Sequence, residues 1–421
     1  MALVDGIRFR SQSVAAVTGR DRVPGDRCRR SVVHGCVDLG LGNPDLAPSD
    51  GIVRAVQAAL SLPGAVRYGD SAGSLTLRRA YASLYARRFG VVLDPEHEVT
   101  AVLGAKEGLH HLMAVAPDGS VAVPVPSYPT HLEAPLMAGR SLRRVEVSPD
   151  DARGRAFLAN LELALAGGGV GVVVASFPHN PTGVVVESGV LARAVQLARD
   201  AGALLVHDFA YWATTLDGSR APSVLEVAHG PGVVELLSLS KSHSLAGLRA
   251  GALVGDPAVV EAVRLRKRAI DHGMAAGVEA GVIWALDHGD EELARTAETY
   301  RRRRDVVVAG LRRAGWERVV VPAGSMFVWA RPHAGLDDVE VVEHLAEEHG
   351  VVLAPGREFG AAEPGWVRIA LIAPEEVLEV VVAEVSACRE LAQRPSARSR
   401  TKEGAGSRTS AARYSSASAK P

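Results

Sequence analysis

The sequence predicts an α/β protein in which a large domain, built on a mostly parallel sheet flanked by helices, is followed by a smaller α+β domain. Two patterns predict it. Short β-branched runs bounded by glycine, proline or polar residues alternate with longer amphipathic stretches up to about residue 285, and such alternation implies parallel strands joined by crossover helices. Beyond that point the rhythm changes to shorter strands spaced between helices. At 421 residues the chain is also too long for one small core and suits two domains of roughly 100 to 200 residues each.

Taken in order, Val99–Leu103, Ser120–Val125, Val170–Ser176, Leu204–Asp208, Val233–Leu239 and Ala250–Val254 are short, apolar and read as buried strands. Glu107–Val115, Ser188–Ala201 and Pro257–Ala269 read as helices between some of them. A long helical region over Val278–Ala314 leads to strands at Arg318–Val321 and Ser325–Ala330, a helix at Val339–His349, strands at Val351–Leu353 and Trp366–Leu371, and a last helix at Pro374–Leu391. This places a large domain at 61–285 and a small one at 286–391, with 36–60 joining the small domain. Residues 1–35 are expected to form a partly disordered arm. Residues 392–421 hold so few large apolar side chains that they cannot offset their ordering entropy, and a disordered tail is expected.

A net charge of −1 leaves no domain-wide positive field to neutralise phosphates, so nucleic acid is not an expected partner. No apolar run of about 18 residues predicts a membrane span, and no signal peptide is legible at the N-terminus. The cysteines Cys28, Cys36 and Cys388 are odd in number, far apart and without metal-ligand spacing, so neither a disulfide framework nor a zinc site is expected. Together these features predict a cytoplasmic protein that recognises small molecules. Its lysines are only Lys106, Lys241, Lys267, Lys402 and Lys420, so any amine chemistry must choose among them.

Ser238-Leu-Ser-Lys241-Ser follows an apolar strand, with Arg249 eight positions later. A lysine just past a buried strand is partly desolvated, which favours the neutral amine that attacks a carbonyl. The hydroxyls and the guanidinium suit a phosphate. In isolation the segment reads as a solvated loop, so the other features decide. Asp208 ends another strand, where ligands gather in open α/β sheets, and a carboxylate there can pair with a protonated ring nitrogen. Asn180-Pro-Thr-Gly183 forms a turn beyond a third strand. Gly104-Ala-Lys-Glu-Gly108 enters a helix, offering free amides and a positive dipole end to a phosphate. Lys106 is therefore the rival amine, ranked second because Glu107 signals a charged first turn. Tyr128 sits just past the strand at Ser120–Val125, placed to stack on a flat ring.

In order, the chain reads Gly42-Asn-Pro-Asp45, Tyr68 with Gly73 and Leu77-Arg78, Gly104-Ala-Lys-Glu-Gly108, Pro126-Ser-Tyr-Pro129, Asn180-Pro-Thr-Gly183, Asp208-Phe-Ala-Tyr211, Ser238-Leu-Ser-Lys241, Arg249 and Trp366-Val-Arg-Ile369. This series resembles the class I and II aminotransferases of pyridoxal-phosphate fold type I, and within them the alanine and LL-diaminopimelate aminotransferase branch. The resemblance covers about residues 38–390. It implies pyridoxal phosphate as cofactor and transfer of an amino group from an L-amino acid to a 2-oxo acid in two half-reactions, within a homodimer of shared active sites. Carried over by position, Lys241 would bind the cofactor covalently and move protons, Asp208 would hold the ring nitrogen, and Asn180 and Tyr211 the phenolic oxygen. Tyr128 would stack on the ring. The amides of Ala105 and Lys106, with Ser238 and Arg249, would take the phosphate, helped by Tyr68 from the neighbouring subunit. Arg368, aided by Asn180 and Gly42, would bind the substrate carboxylate; by alternation alone it reads as an exposed strand residue, opposite Val367 and Ile369.

Three stretches depart from that family, the C-terminal tail, which has no counterpart there, and two others. The N-terminal segment lacks the usual Arg-x-Leu-Pro-x-Tyr entry, and Asp271-His-Gly-Met-Ala-Ala-Gly-Val-Glu279 replaces a loop that in relatives carries hydroxyls, proline and glutamine. These changes motivate an alternative on the same scaffold, an amino-acid oxidase, lyase or eliminase. A non-enzymatic regulator is disfavoured, because the first 35 residues hold no helix-turn-helix pattern.

Overall fold

The computed structural model describes residues 36–388 apart from 152, 153 and 334; the expected arm over 1–35 and tail over 392–421 lie outside the described residues. The described chain begins with β1 (Val37–Asp38), α1 (Asp50–Leu60) and α2 (Leu75–Phe89). A seven-stranded sheet then assembles from β2 (Val99–Val102), β3 (Ser120–Val125), β4 (Leu142–Glu146), β5 (Val170–Ser176), β6 (Leu204–Phe209), β7 (Val233–Ser238) and β8 (Gly251–Gly255). Their spatial order is β2-β8-β7-β6-β5-β3-β4. β3 to β7 run parallel, and β8 alone is reversed, antiparallel to both β7 and β2. The connections are α3 (Ala105–Val115), α4 (Pro129–Met137), α5 (Arg155–Ala166), α6 (Ser188–Asp200) and α7 (Val224–Val227), and α8 (Pro257–Arg268) and α9 (Ala276–His288) follow β8.

The inner strands of the sheet are buried on both faces because they are apolar at almost every position. In β5, Val172 and Val174 join Leu109, Leu112 and Val260 in one cluster, while Val173 and Ala175 join Leu161, Leu191 and Val195 in the other. A one-residue slip would exchange the two sets, so the packing fixes the register. It also fixes which side chain emerges where each strand ends.

α10 (Asp290–Arg313) leads into the second part, with β9 (Arg318–Val319), β10 (Phe327–Arg331), α11 (Asp338–His349), β11 (Val351–Val352), β12 (Ala354–Pro355), β13 (Val367–Ala370) and α12 (Glu375–Ala387). Four of these strands form an antiparallel sheet in the order β12-β13-β10-β9, and β11 pairs with β1 in parallel. Buried Arg303 on α10 grips both carboxylate oxygens of Asp45 at 2.7 and 2.8 Å and the Leu371 carbonyl at 2.9 Å. That bidentate pair anchors the segment around Gly42 to the small sheet. Cys36 is disulfide-bonded, which corrects the expectation of no disulfide; Cys388 is buried. Among the described residues no helix is long and apolar enough to cross a membrane.

Candidate active site

The carboxyl ends of β5, β6 and β7 open onto a cavity of about 440 Å³ that is closed on its far side by β13 and the Gly40–Asn43 segment. Of the twelve residues singled out from the sequence, all but Tyr68 line it. Tyr68 is 85% exposed, its ring tilted against that of His272 with the centroids 4.3 Å apart.

β7 delivers Ser238 and Lys241. The Lys241 ammonium donates to the Gly42 carbonyl. Burial lowers its pKa to about 8, helped by the positive charges of Arg368 and Arg249, so a substantial share of the amine is neutral near physiological pH. Lys106, the rival amine, is exposed, and its ammonium lies over the Tyr128 ring, 5.8 Å from the centroid.

β6 delivers Asp208 and then Tyr211. Asp208 is buried and accepts from His131 Nε2 at 2.8 Å and from the Ala210 amide at 3.2 Å. His131 Nδ1 lies 2.8 Å from Ser127 Oγ. Because a carboxylate only accepts, His131 Nε2 donates to Asp208, which leaves Nδ1 to pair with the Ser127 hydroxyl. The sequence reading missed His131. Its only local signal is the spacing of four from Ser127, which puts both side chains on one turn at the start of α4. Burial raises the Tyr211 hydroxyl well above the ordinary tyrosine range, against the opposing pull of Arg368. Tyr211 therefore stays a neutral phenol, and it accepts from Asn180 Nδ2 at 3.4 Å.

Arg368 on β13 is buried, contrary to its reading from alternation alone. Its guanidinium sits over the Phe327 and Phe359 rings at 4.0 and 4.6 Å and donates to Asn180 Oδ1 at 3.1 Å and the Gly40 carbonyl at 2.6 Å. Two aromatic faces and two fixed acceptors hold its planar fork toward the cavity.

At the opposite wall, α3 begins at Gly104, whose φ of +82° is left-handed. A Cβ there would stand 2.3 Å from Arg249 Nη2, so only glycine lets the guanidinium close on the helix start. Arg249 is itself left-handed at φ 57°, a strained choice for a non-glycine residue that persists where surroundings enforce it. Its guanidinium donates to the carbonyls of Ala246 at 2.8 Å and Leu103 at 3.2 Å. The free amides of α3, Arg249 and Ser238 together make an anion cradle. The donor set therefore fits a flat, phosphorylated pyridine aldehyde: an anion site at one end, an aromatic face at Tyr128, a carboxylate at Asp208 and an amine at Lys241.

Comparisons with known proteins identify the family. The family model for aminotransferases of class I and II matches residues 34–385. The chain is 37% identical over 357 residues to an LL-diaminopimelate aminotransferase of Desulforudis audaxviator, covering 84% of this chain and 90% of that protein. It is 37% identical over 360 residues to the glutamate-pyruvate aminotransferase AlaC of Escherichia coli, covering 83% and 86%. Among solved structures, a probable N-succinyldiaminopimelate aminotransferase from Thermus thermophilus superposes with a TM-score of 0.78 at 32% identity, over 89% of this chain and all of that one. The fold is thus that of the fold type I enzymes that use pyridoxal phosphate. The chain belongs to the class I and II aminotransferases, and it is an enzyme of amino-group transfer.

Proposed function

We propose that this aminotransferase binds pyridoxal phosphate in the cavity described above, and that it moves the amino group of an L-amino acid to a 2-oxo acid as a cytoplasmic homodimer. One observation carries the reading: the Lys241 amine, the Asp208 carboxylate and the Arg368 guanidinium converge on one cavity, each oriented by separate partners.

When bound, the cofactor supplies an aldehyde that captures amines and a ring that draws electrons from the substrate α-carbon. Arg249, Ser238 and the amides of Ala105 and Lys106 hold its phosphate. Asp208, steadied by His131, keeps a proton on the ring nitrogen. Tyr128 covers the ring face, and Asn180 and Tyr211 donate toward the phenolic oxygen. Lys241 would take the proton from the substrate α-carbon. Arg368, with Asn180 and the Gly42 backbone beside it, binds the substrate carboxylate through two parallel bonds and so aims that carbon. The exposed Tyr68 reaches the phosphate of the partner subunit.

The test is a half-reaction. Incubated with single amino acids, starting from LL-diaminopimelate, N-succinyldiaminopimelate and glutamate, the purified protein is expected to lose its long-wavelength absorbance; a 2-oxo acid such as pyruvate then restores it. Ammonia release without an acceptor would instead favour an eliminase.

A further inference from the structure

Glu107 poses a problem that the site above leaves unanswered. It stands in the first turn of α3, one residue beyond the amides assigned to an anion, and a carboxylate there repels a phosphate and opposes the cradle. The structure shows what offsets it. Lys267 on α8 is fully buried, and its ammonium donates to Glu107 Oε1 at 2.8 Å and to Asp271 Oδ1 and Oδ2 at 3.2 and 3.0 Å. Glu107 Oε1 also lies 2.7 Å from His111 Nε2, and its Oε2 accepts the Leu103 amide at 2.9 Å. Glu107, His111 and Asp271 are spaced as a metal site would be, but the chain's own ammonium already fills the place of the cation.

We infer that Lys267 is a positioning residue for the phosphate cradle: it offsets much of the charge of Glu107, so that this carboxylate ties down the start of α3 with far less repulsion of the anion beside it. This rests on the reading of α3 as a phosphate site. Asp271 extends the clamp into the following loop: its Oδ1 accepts the Gly273 amide at 2.7 Å, and the ring of the neighbouring His272 lies tilted against that of Tyr68 at 4.3 Å. A buried ammonium sharing two carboxylates leaves a net negative charge, and removing it leaves two uncompensated anions.

The probe is inorganic phosphate, titrated by calorimetry into cofactor-free protein, with thermal melting in parallel. Lys267→Met is expected to weaken phosphate binding about tenfold, a loss of about 1.4 kcal/mol, and Lys267→Met/Glu107→Gln to recover most of it. Glu107→Gln alone keeps the ammonium and an acceptor for Leu103, so it should fold and bind phosphate as tightly as the wild type or more tightly. A folded Lys267→Met with unchanged affinity overturns the inference. So does a double variant no better than the single, or a folded Glu107→Gln that binds tenfold more weakly. Wild-type protein that takes up neither phosphate nor cofactor overturns the functional reading, and this inference with it.

Discussion

Lys241 is acidified by three causes in descending weight: burial, then the charge of Arg368, then that of Arg249. The neutral amine is the attacking form, so capture of the cofactor by cofactor-free protein should slow about tenfold per pH unit below about pH 8 and level off above it. Arg368→Met removes the second cause and should move that profile to higher pH, measurable by stopped-flow absorbance; an unmoved profile would show that the two charges do not communicate. Lys241→Ala should hold no borohydride-trappable cofactor at all. For substrate, Arg368→Lys retains the charge but loses the fork, and kcat/KM should fall by a factor corresponding to about 2 kcal/mol. These residues differ in how far they were legible. Lys241 is one of three lysines between Val37 and Ala387; its own segment reads as a solvated loop, and only the other strand-end residues together single it out. Arg368 read as exposed because Phe327 and Phe359, which sandwich it, come from segments that no local pattern connects to it. His131 was invisible for the same reason, since Asp208 lies 77 positions away.

At the level of elements, the buried strands were legible to within a residue or two because burial on both faces leaves continuous apolar runs. β4 was missed. Its sequence Leu-Arg-Arg-Val-Glu is largely polar, as an edge strand that must resist pairing with another chain tends to be. α4 was missed as well, carrying Pro135 inside it. The start of α3 gives a sharp test of geometry: Gly104→Ala puts a methyl group into Arg249 at a left-handed φ. It should cost about 1 to 3 kcal/mol in folding and weaken cofactor retention more than substrate binding, read by equilibrium dialysis. The turn after β5 contributes a pH-dependent term to stability. His179 is buried, and burial, then the nearby His131, push its pKa down to about 3 from 6.5. The folded state thus refuses a proton that the unfolded chain accepts below about pH 6.5. Stability contributed by this group is present above that pH and is lost as pH falls toward 3. His179→Asn, which can still bond Thr182, should flatten the decline of the urea midpoint between pH 6.5 and 4.

For the whole molecule, the assignment that reaches beyond one chain is Tyr68. Ten of the other predicted site residues were joined to one cavity with Lys241 by this fold, and Tyr68 instead projects outward beside exposed Val66 and near exposed Ile270. A tyrosine that serves its own cavity should be buried with it; one that serves a second copy should be exposed in the isolated chain. The two cases separate cleanly in mixed dimers. Lys241→Ala homodimers are expected to be inactive, and Tyr68→Ala homodimers to be weakened by loss of a phosphate contact worth about 1.5 to 3 kcal/mol. If Tyr68 crosses the interface, unfolding and refolding the two variants together creates hybrids in which one site carries both defects and the other carries neither. The mixture should then be more active than the sum of its parts, approaching one wild-type site per hybrid. If Tyr68 acts within its own chain, every hybrid site carries exactly one defect and no gain appears, because the Lys241→Ala site is dead and the Tyr68→Ala site stays weak.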